Sequence, residues 1–233
     1  MSEPVIPGAR GARVGLVAGR VFAHGLWNTH VTGADRVPTD GPVLLAANHV
    51  GVADGPILAG ASPRPAHVLI KAELFAGVLG PVLRGLGQIA VDRQDGRGSL
   101  AAALGVLKRG GVVAVFPEGN RGRGDAADAR AGVAWLAING HAPVVPVAVL
   151  GTRRTGESVG HLPGFRRRFE IEFGEPLVLE RAPGTSGRAA VAQANEEIRV
   201  ALSDLVTAAV GRTGIRLPVD DADHDVPAPQ EAH

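Results

Sequence analysis

Residues 43–56 read VLLAANHVGVADGP. The first five are apolar and stop at Asn48, which is the pattern of a buried strand. The last three, Asp54-Gly55-Pro56, form a helix start, where proline's missing N–H removes no helical bond. Between them lies a short loop carrying His49, so the stretch reads as strand, loop and helix, the opening of a βαβ unit. His49 and Asp54 cannot share one face of a helix, because five residues at 3.6 per turn leave them roughly 140° apart. A loop over the strand end removes that obstacle and sets both beyond the carboxyl end of a strand, where open α/β sheets bind ligands. Spacing alone is weak evidence: His30 and Asp35 repeat it with no apolar run before and no Gly-Pro after. Asp54 also reads as an ordinary helix N-cap.

The same rhythm continues outward. Short β-rich runs at 43–47, 67–70, 88–91, 112–116 and 144–150 alternate with helical stretches at 72–84, 97–109 and 125–139. This predicts an α/β fold, a mainly parallel or mixed sheet covered by helices. Residues 168–173 alternate in the manner of an edge strand, and 187–210 read as a closing helix. Residues 11–28 form an amphipathic helical segment, apolar at Val14, Leu16, Val17, Val21, Phe22 and Leu26 beside Arg10, Arg13 and Arg20. Such a helix lies on a membrane surface or packs on the domain. The expected organisation is an N-terminal helical, membrane-contacting segment at 1–40, an α/β domain at 41–217 and a disordered acidic tail at 218–233.

Composition narrows the chemistry. The 233 residues are 45% hydrophobic but only 3% aromatic, so Val, Leu, Ile and Ala must fill one core. With no cysteine, disulfides and Cys-based zinc sites are excluded. No signal-peptide pattern and no run of roughly 20 apolar residues is present, and a cytoplasmic setting is expected. The net charge is +1. Residues 218–233 hold five acidic side chains and no Lys or Arg, which leaves the body basic through arginine. Nucleic acid is not the expected partner, because aromatic interleaving and nucleic-acid motifs are missing.

Two more runs end in charge. Phe116-Pro117-Glu118-Gly119 closes one strand, with Arg121 and Arg123 following, and Asp92-Arg93 closes another. Guanidinium groups at strand carboxyl ends suit a phosphate, although a salt bridge to Asp92 or Glu118 is the simpler use of Arg93. A Gly-x-Gly-x-x-Ala pattern at 122–127 is a poor dinucleotide fingerprint, since no acidic residue lies at 141–156. No G-x-S-x-G or HExxH occurs.

Four blocks in this order, NHVGVADG at 48–55, KAELFAGVLGPVLRGLGQIAVDR at 71–93, VFPEGNRGRG at 115–124 and VVPVAV at 144–149, resemble the glycerolipid acyltransferase family that includes 1-acyl-glycerol-3-phosphate acyltransferases. The resemblance covers most of residues 40–150. It implies a catalytic dyad of His49 and Asp54, acceptor-phosphate contacts at Arg93 and Arg121, and an acceptor site shaped by Glu118 and Gly119. Lys71 joins the substrate-binding candidates at the head of an apolar segment, 74–86, that is a candidate wall for the acyl chain. Gly51 stands where the family often has Ser, and Asn120-Arg121-Gly122 where Thr-Arg-Ser is usual. The implied reaction moves a fatty acyl group from acyl-CoA or acyl carrier protein to a lysophospholipid hydroxyl, with no metal or nucleotide cofactor. It places the protein peripherally on the inner face of the cell membrane. The alternative is a catalytically inactive lipid-binding protein of the same fold on the membrane surface.

Overall fold

The computed structural model describes residues 5–92, 96–118 and 132–220. Among them the chain begins with helix α1 (Ala9–Arg20), passes through a π-helical turn at Val21–Leu26 and extends into strand β1 (Asn28–Thr32). Six further strands follow: β2 (Val43–Ala47), β3 (Ala66–Lys71), β4 (Ile89–Val91), β5 (Val112–Val115), β6 (Val144–Leu150) and β7 (Arg168–Phe173). They form one sheet in the order β1-β7-β6-β2-β5-β3-β4. Neighbours are parallel throughout except β6 and β7, which run antiparallel. Every residue of β2, β5 and β6 is buried, as expected of strands covered on both faces.

The helices between the strands are α2 (Asp54–Ala61), α3 (Glu73–Ala76), α4 (Gly80–Gly85), α5 (Gly96–Lys108) and α6 (Gly132–Gly140), and α7 (Gly187–Thr213) closes the fold. From β2 to β4 the connections step one way across the sheet, and from β4 to β6 they step back. Right-handed crossovers therefore place α2 on one face and α5 and α6 on the other. The side chains of β2 divide accordingly. Val43, Leu45 and Ala47 share a core with Ile57 and Leu58 of α2. Leu44 and Ala46 share the opposite core with Val106 of α5, Leu136 of α6 and Ile198 of α7.

Three local features differ from the sequence reading. The helix expected over 11–28 stops before Asn28, because Trp27 is tied away from the helix axis: its indole N–H donates to Pro163 O at 3.0 Å. The next amide, Asn28 N–H, bonds Arg167 O at 3.0 Å and starts β1. As a result β7 is not an edge strand, since β1 pairs along its outer side. The helix expected over 72–84 is two short ones. Between them the backbone folds so tightly that a Cβ on Gly80 would stand 2.0 Å from Phe75 O, and Pro81 supplies no amide to bridge the break.

The small residues of α1 do its packing. Ala12, Gly15 and Gly19 are buried, whereas Val14, Val17 and Val21 are exposed. At Gly19 the backbone of α1 meets that of α2 at Gly60: a Cβ on Gly60 would lie 2.3 Å from Gly19 C, and one on Gly19 would lie 2.6 Å from Gly60 N. Helix propensity favours Gly60→Ala by up to ~1 kcal/mol. We expect the opposite sign, a loss of about 2 kcal/mol in chemical denaturation, because the added methyl meets backbone that cannot yield.

At the amino end of β3, the buried His67 ring bonds Gly87 O through Nδ1 at 2.5 Å and faces Arg109 Nη2 through Nε2 at 2.9 Å. A carbonyl accepts and a guanidinium donates, so the ring is neutral with its proton on Nδ1. Burial first, and then the Arg109 charge, hold its pKa below the usual 6.5, against the Gly87 bond. The unfolded chain therefore binds the extra proton sooner. Stability is at its full value above pH 6.5 and declines as pH falls from there towards the lowered native value. A His67→Gln variant should show a shallower decline in urea unfolding across that window.

Candidate active site

Strand β2 ends at Ala47, and the side chain of the next residue, Asn48, continues the pairing to β6. Its Nδ2 donates to Val149 O at 3.1 Å and its Oδ1 accepts Val149 N–H at 2.7 Å. With both ladder positions filled by an amide side chain, the main chain is released to turn at His49.

That turn wraps around Asp54, which has no exposed surface. One carboxylate oxygen, Oδ2, accepts the amides of Val50 at 2.7 Å and Gly51 at 2.9 Å and lies 2.7 Å from His49 Nδ1. The other, Oδ1, accepts the Thr152 hydroxyl at 2.5 Å. Four donors meet one carboxylate, which is the condition for burying such a charge. The N-cap reading of Asp54 does not hold: Ala53 occupies the cap position of α2 and no side-chain cap bond is made. Asp54 turns back onto its own loop.

Because Asp54 accepts from every other partner, His49 Nδ1 carries the proton and Nε2 is the basic nitrogen; this tautomer follows from the network. The imidazole stacks on Phe116, with ring centroids 4.1 Å apart and planes inclined by 19°. Its backbone amide donates to Glu118 Oε1 at 3.3 Å. Since β5 lies beside β2 in the sheet, residues 116–118 emerge next to the His49 loop. Thr152 arrives from the other neighbour, β6.

His49 lines a cavity of about 450 Å³ whose walls are mostly aliphatic. Leu74, Leu79 and Leu83 come from the segment around α3 and α4, and Leu100, Val133 and Leu136 from the opposite side. Lys71, at the end of β3, and Asp92, just past β4, also line it. Of the expected site residues, His49 and Lys71 thus line this cavity at the carboxyl ends of β2 and β3, while Asp54 is buried behind the His49 ring and Glu118 bonds the His49 amide. The candidates Arg93, Gly119 and Arg121 lie outside the described residues. Of the His30 and Asp35 pair, His30 is exposed on β1 and Asp35 lies in a 3₁₀ turn. Thr152 was not foreseen, because its partner is 98 residues away and nothing in its own neighbourhood marks it. Among the described residues no group of three or more His, Asp or Glu is placed to hold a metal ion.

A ring whose Nδ1–H is held by a buried carboxylate, leaving Nε2 as the acceptor beside an apolar cavity, suits proton abstraction from a hydroxyl next to a bound hydrocarbon. Comparison with known proteins agrees with that chemistry. Over 146 residues the chain is 32% identical to the 1-acyl-sn-glycerol-3-phosphate acyltransferase of Bacillus subtilis, an alignment covering 61% of this chain and 70% of that protein. It is 30% identical over 127 residues to the protein of the same name from Borreliella burgdorferi, covering 52% of this chain and 51% of the relative, so it spans about half of that protein's length. The crystal structure of the 1-acyl-sn-glycerophosphate (LPA) acyltransferase, PlsC, from Thermotoga maritima shares the fold, with a TM-score of 0.62 over 83% of this chain and 79% of that one at 21% identity. Residues 28–150, which include β1, the His49 loop and the whole of β6, match the family model described as Acyltransferase, and the chain belongs to that family.

Proposed function

We propose that the protein transfers a fatty acyl group from a thioester, acyl-CoA or acyl carrier protein, to the free hydroxyl of a lysophospholipid, foremost 1-acyl-glycerol-3-phosphate, giving phosphatidic acid. The observation that carries this reading is the fully buried Asp54 carboxylate held 2.7 Å from His49 Nδ1 at the edge of the apolar cavity. His49 Nε2 takes the proton as the hydroxyl oxygen attacks the thioester carbonyl. The carbon–sulfur bond breaks, and the proton passes from the imidazolium to the departing thiolate. Asp54 stays ionised throughout, fixing the tautomer and stabilising the imidazolium. No acyl-enzyme is required.

The aliphatic cavity accommodates the acyl chain, where each buried methylene contributes about 0.8 kcal/mol. We assign the acceptor phosphate to Arg93 and Arg121, with Glu118, Gly119 and Lys71 shaping the same site. In sequence Arg93 follows Asp92, which lines the cavity, and Arg121 follows Glu118, which bonds the His49 amide. The outer face of α1 supports a peripheral position at the cytoplasmic side of a membrane. Val14 and Val17 of α1 and Val21, Phe22 and Leu26 of the following π-helical turn are exposed beside Arg10, Arg13 and Arg20, and no acidic residue occurs at 5–27. Among the described residues no helix is long and apolar enough to cross a membrane.

The deciding experiment is acceptor-dependent thiol release from acyl-CoA or acyl carrier protein across a panel of lysolipids. With the preferred pair, and in variants shown to be folded, His49→Ala should lower kcat by roughly 10² to 10⁴-fold, and Asp54→Asn should do the same by allowing the wrong tautomer. Turnover that is absent for every donor and acceptor would favour the non-catalytic lipid-binding alternative, whereas turnover unchanged in His49→Ala would remove His49 as the base. Arg121→Ala should raise KM for the phosphate acceptor by about tenfold or more and leave the KM for the donor nearly unchanged.

A further inference from the structure

Behind the dyad, away from the cavity, a second buried charge has no part in the reaction as written. Arg153 follows Thr152 and is 1% exposed. Its Cβ stands against Gly51 of the His49 loop, 3.3 Å from where a Cβ on that glycine would be. The guanidinium reaches outward: Nε donates to Glu157 O at 2.8 Å and Nη2 to Asp220 Oδ2 at 2.8 Å. Asp220 Oδ2 also accepts the Gly156 amide at 3.1 Å, and the neighbouring Val219 amide donates to Thr155 Oγ1 at 3.2 Å. Among the described residues Arg153 Nη1 and Asp220 Oδ1 have no hydrogen-bond partner. Among the described residues one carboxylate oxygen therefore carries the charge pairing of a guanidinium removed from water.

The route of the chain explains how Asp220 arrives. Gly214, at φ 72°, ends α7 in the left-handed conformation. Ile215 and Leu217 then pack on the cluster formed by Leu150 of β6 and Leu202 and Val206 of α7. This steers the segment to the carboxyl end of β6, where residues 152–157 wait. The loop is braced from its other end by Arg167, whose guanidinium donates to both carboxylate oxygens of Glu157. That bond, opposed by burial, takes the Glu157 carboxyl down to about 2. The loop in turn reaches the dyad a third time through Val52 N–H to Val159 O at 3.0 Å.

We propose that Arg153 and Asp220 are positioning residues, a strap by which the segment after α7 holds the Thr152 hydroxyl on Asp54 and so fixes the orientation of His49. The kinetic part rests on the reading of His49 as the base. The structural part is measured on the ring itself, by the Nδ1–H proton and ring ¹⁵N resonances of His49. In Asp220→Asn those resonances should move and kcat should fall about tenfold, with KM within about twofold and the amide spectrum otherwise native. Asp220→Glu should restore most of the rate. Thr155→Ala, a milder change at an exposed side chain, should shift both readouts the same way by about threefold in kcat. In a Thr152→Val background Asp220→Asn should add little, because the hydroxyl through which it acts is gone. Native His49 resonances in folded Asp220→Asn and Thr155→Ala would overturn the strap, as would a full, multiplicative effect of Asp220→Asn on top of Thr152→Val. The resonances decide this whether or not turnover is detected, and loss of turnover in His49→Ala separately decides the role of the base.

Discussion

A carboxylate with no access to water must be met by donors on every side, and Asp54 is met by two amides, a hydroxyl and an imidazole. Leaving such a charge short of even one strong partner costs several kcal/mol, a large share of a domain's net stability. The structure around it can be understood as the means of bringing four donors to one point. Two of them come free with the loop, because residues 50 and 51 curl over the side chain four and three positions ahead. The other two need a ring placed at the loop's start and a hydroxyl delivered from another strand.

The delivery of that hydroxyl explains the strand order. With β2 between β5 and β6, the carboxyl end of one parallel neighbour presents Phe116 to the imidazole and Glu118 to the His49 amide, and the other presents Thr152 to the carboxylate. The Asn48 amide locks β2 to β6 one step beyond the ladder, so that register is fixed where it matters for Thr152. The antiparallel turn from β6 into β7 then gives the 151–167 loop room to fold back over the site. A purely parallel continuation would need a crossover helix there instead.

Much of this is legible in the sequence. Strands β2, β5 and β6 announce themselves as unbroken apolar runs because both faces are covered, and the His49 and Asp54 pair stood out by its position after one of them. What escaped detection shares a physical cause. Strand β1, Asn-Thr-His-Val-Thr, is polar, with one buried residue, and it is a strand only because β7 offers an edge. The outward face of α1 looks apolar in sequence while its packing face is Ala and Gly, since close backbone contact favours the absence of side chains. The split of residues 72–84 follows from a glycine forced against a carbonyl. Thr152 owes its role to a residue 98 positions away. Local pattern encodes local structure and burial; it does not encode which distant backbone or side chain will arrive to complete a site.

Phe116 adds a final constraint. An aromatic face stacked on the imidazole offers its charge no hydrogen bond, and the cavity beyond is aliphatic, so an imidazolium formed during the reaction would find little solvation on those sides. Its positive charge is then met first through Nδ1, by Asp54, with the Glu118 carboxylate beside the His49 amide as the next nearest negative group described. Low local polarity strengthens that first interaction while leaving few substitutes for it. This makes the precision of the Asp54 setting, and hence of everything that holds Thr152 and the 50–51 amides in place, more consequential than it would be for an exposed dyad.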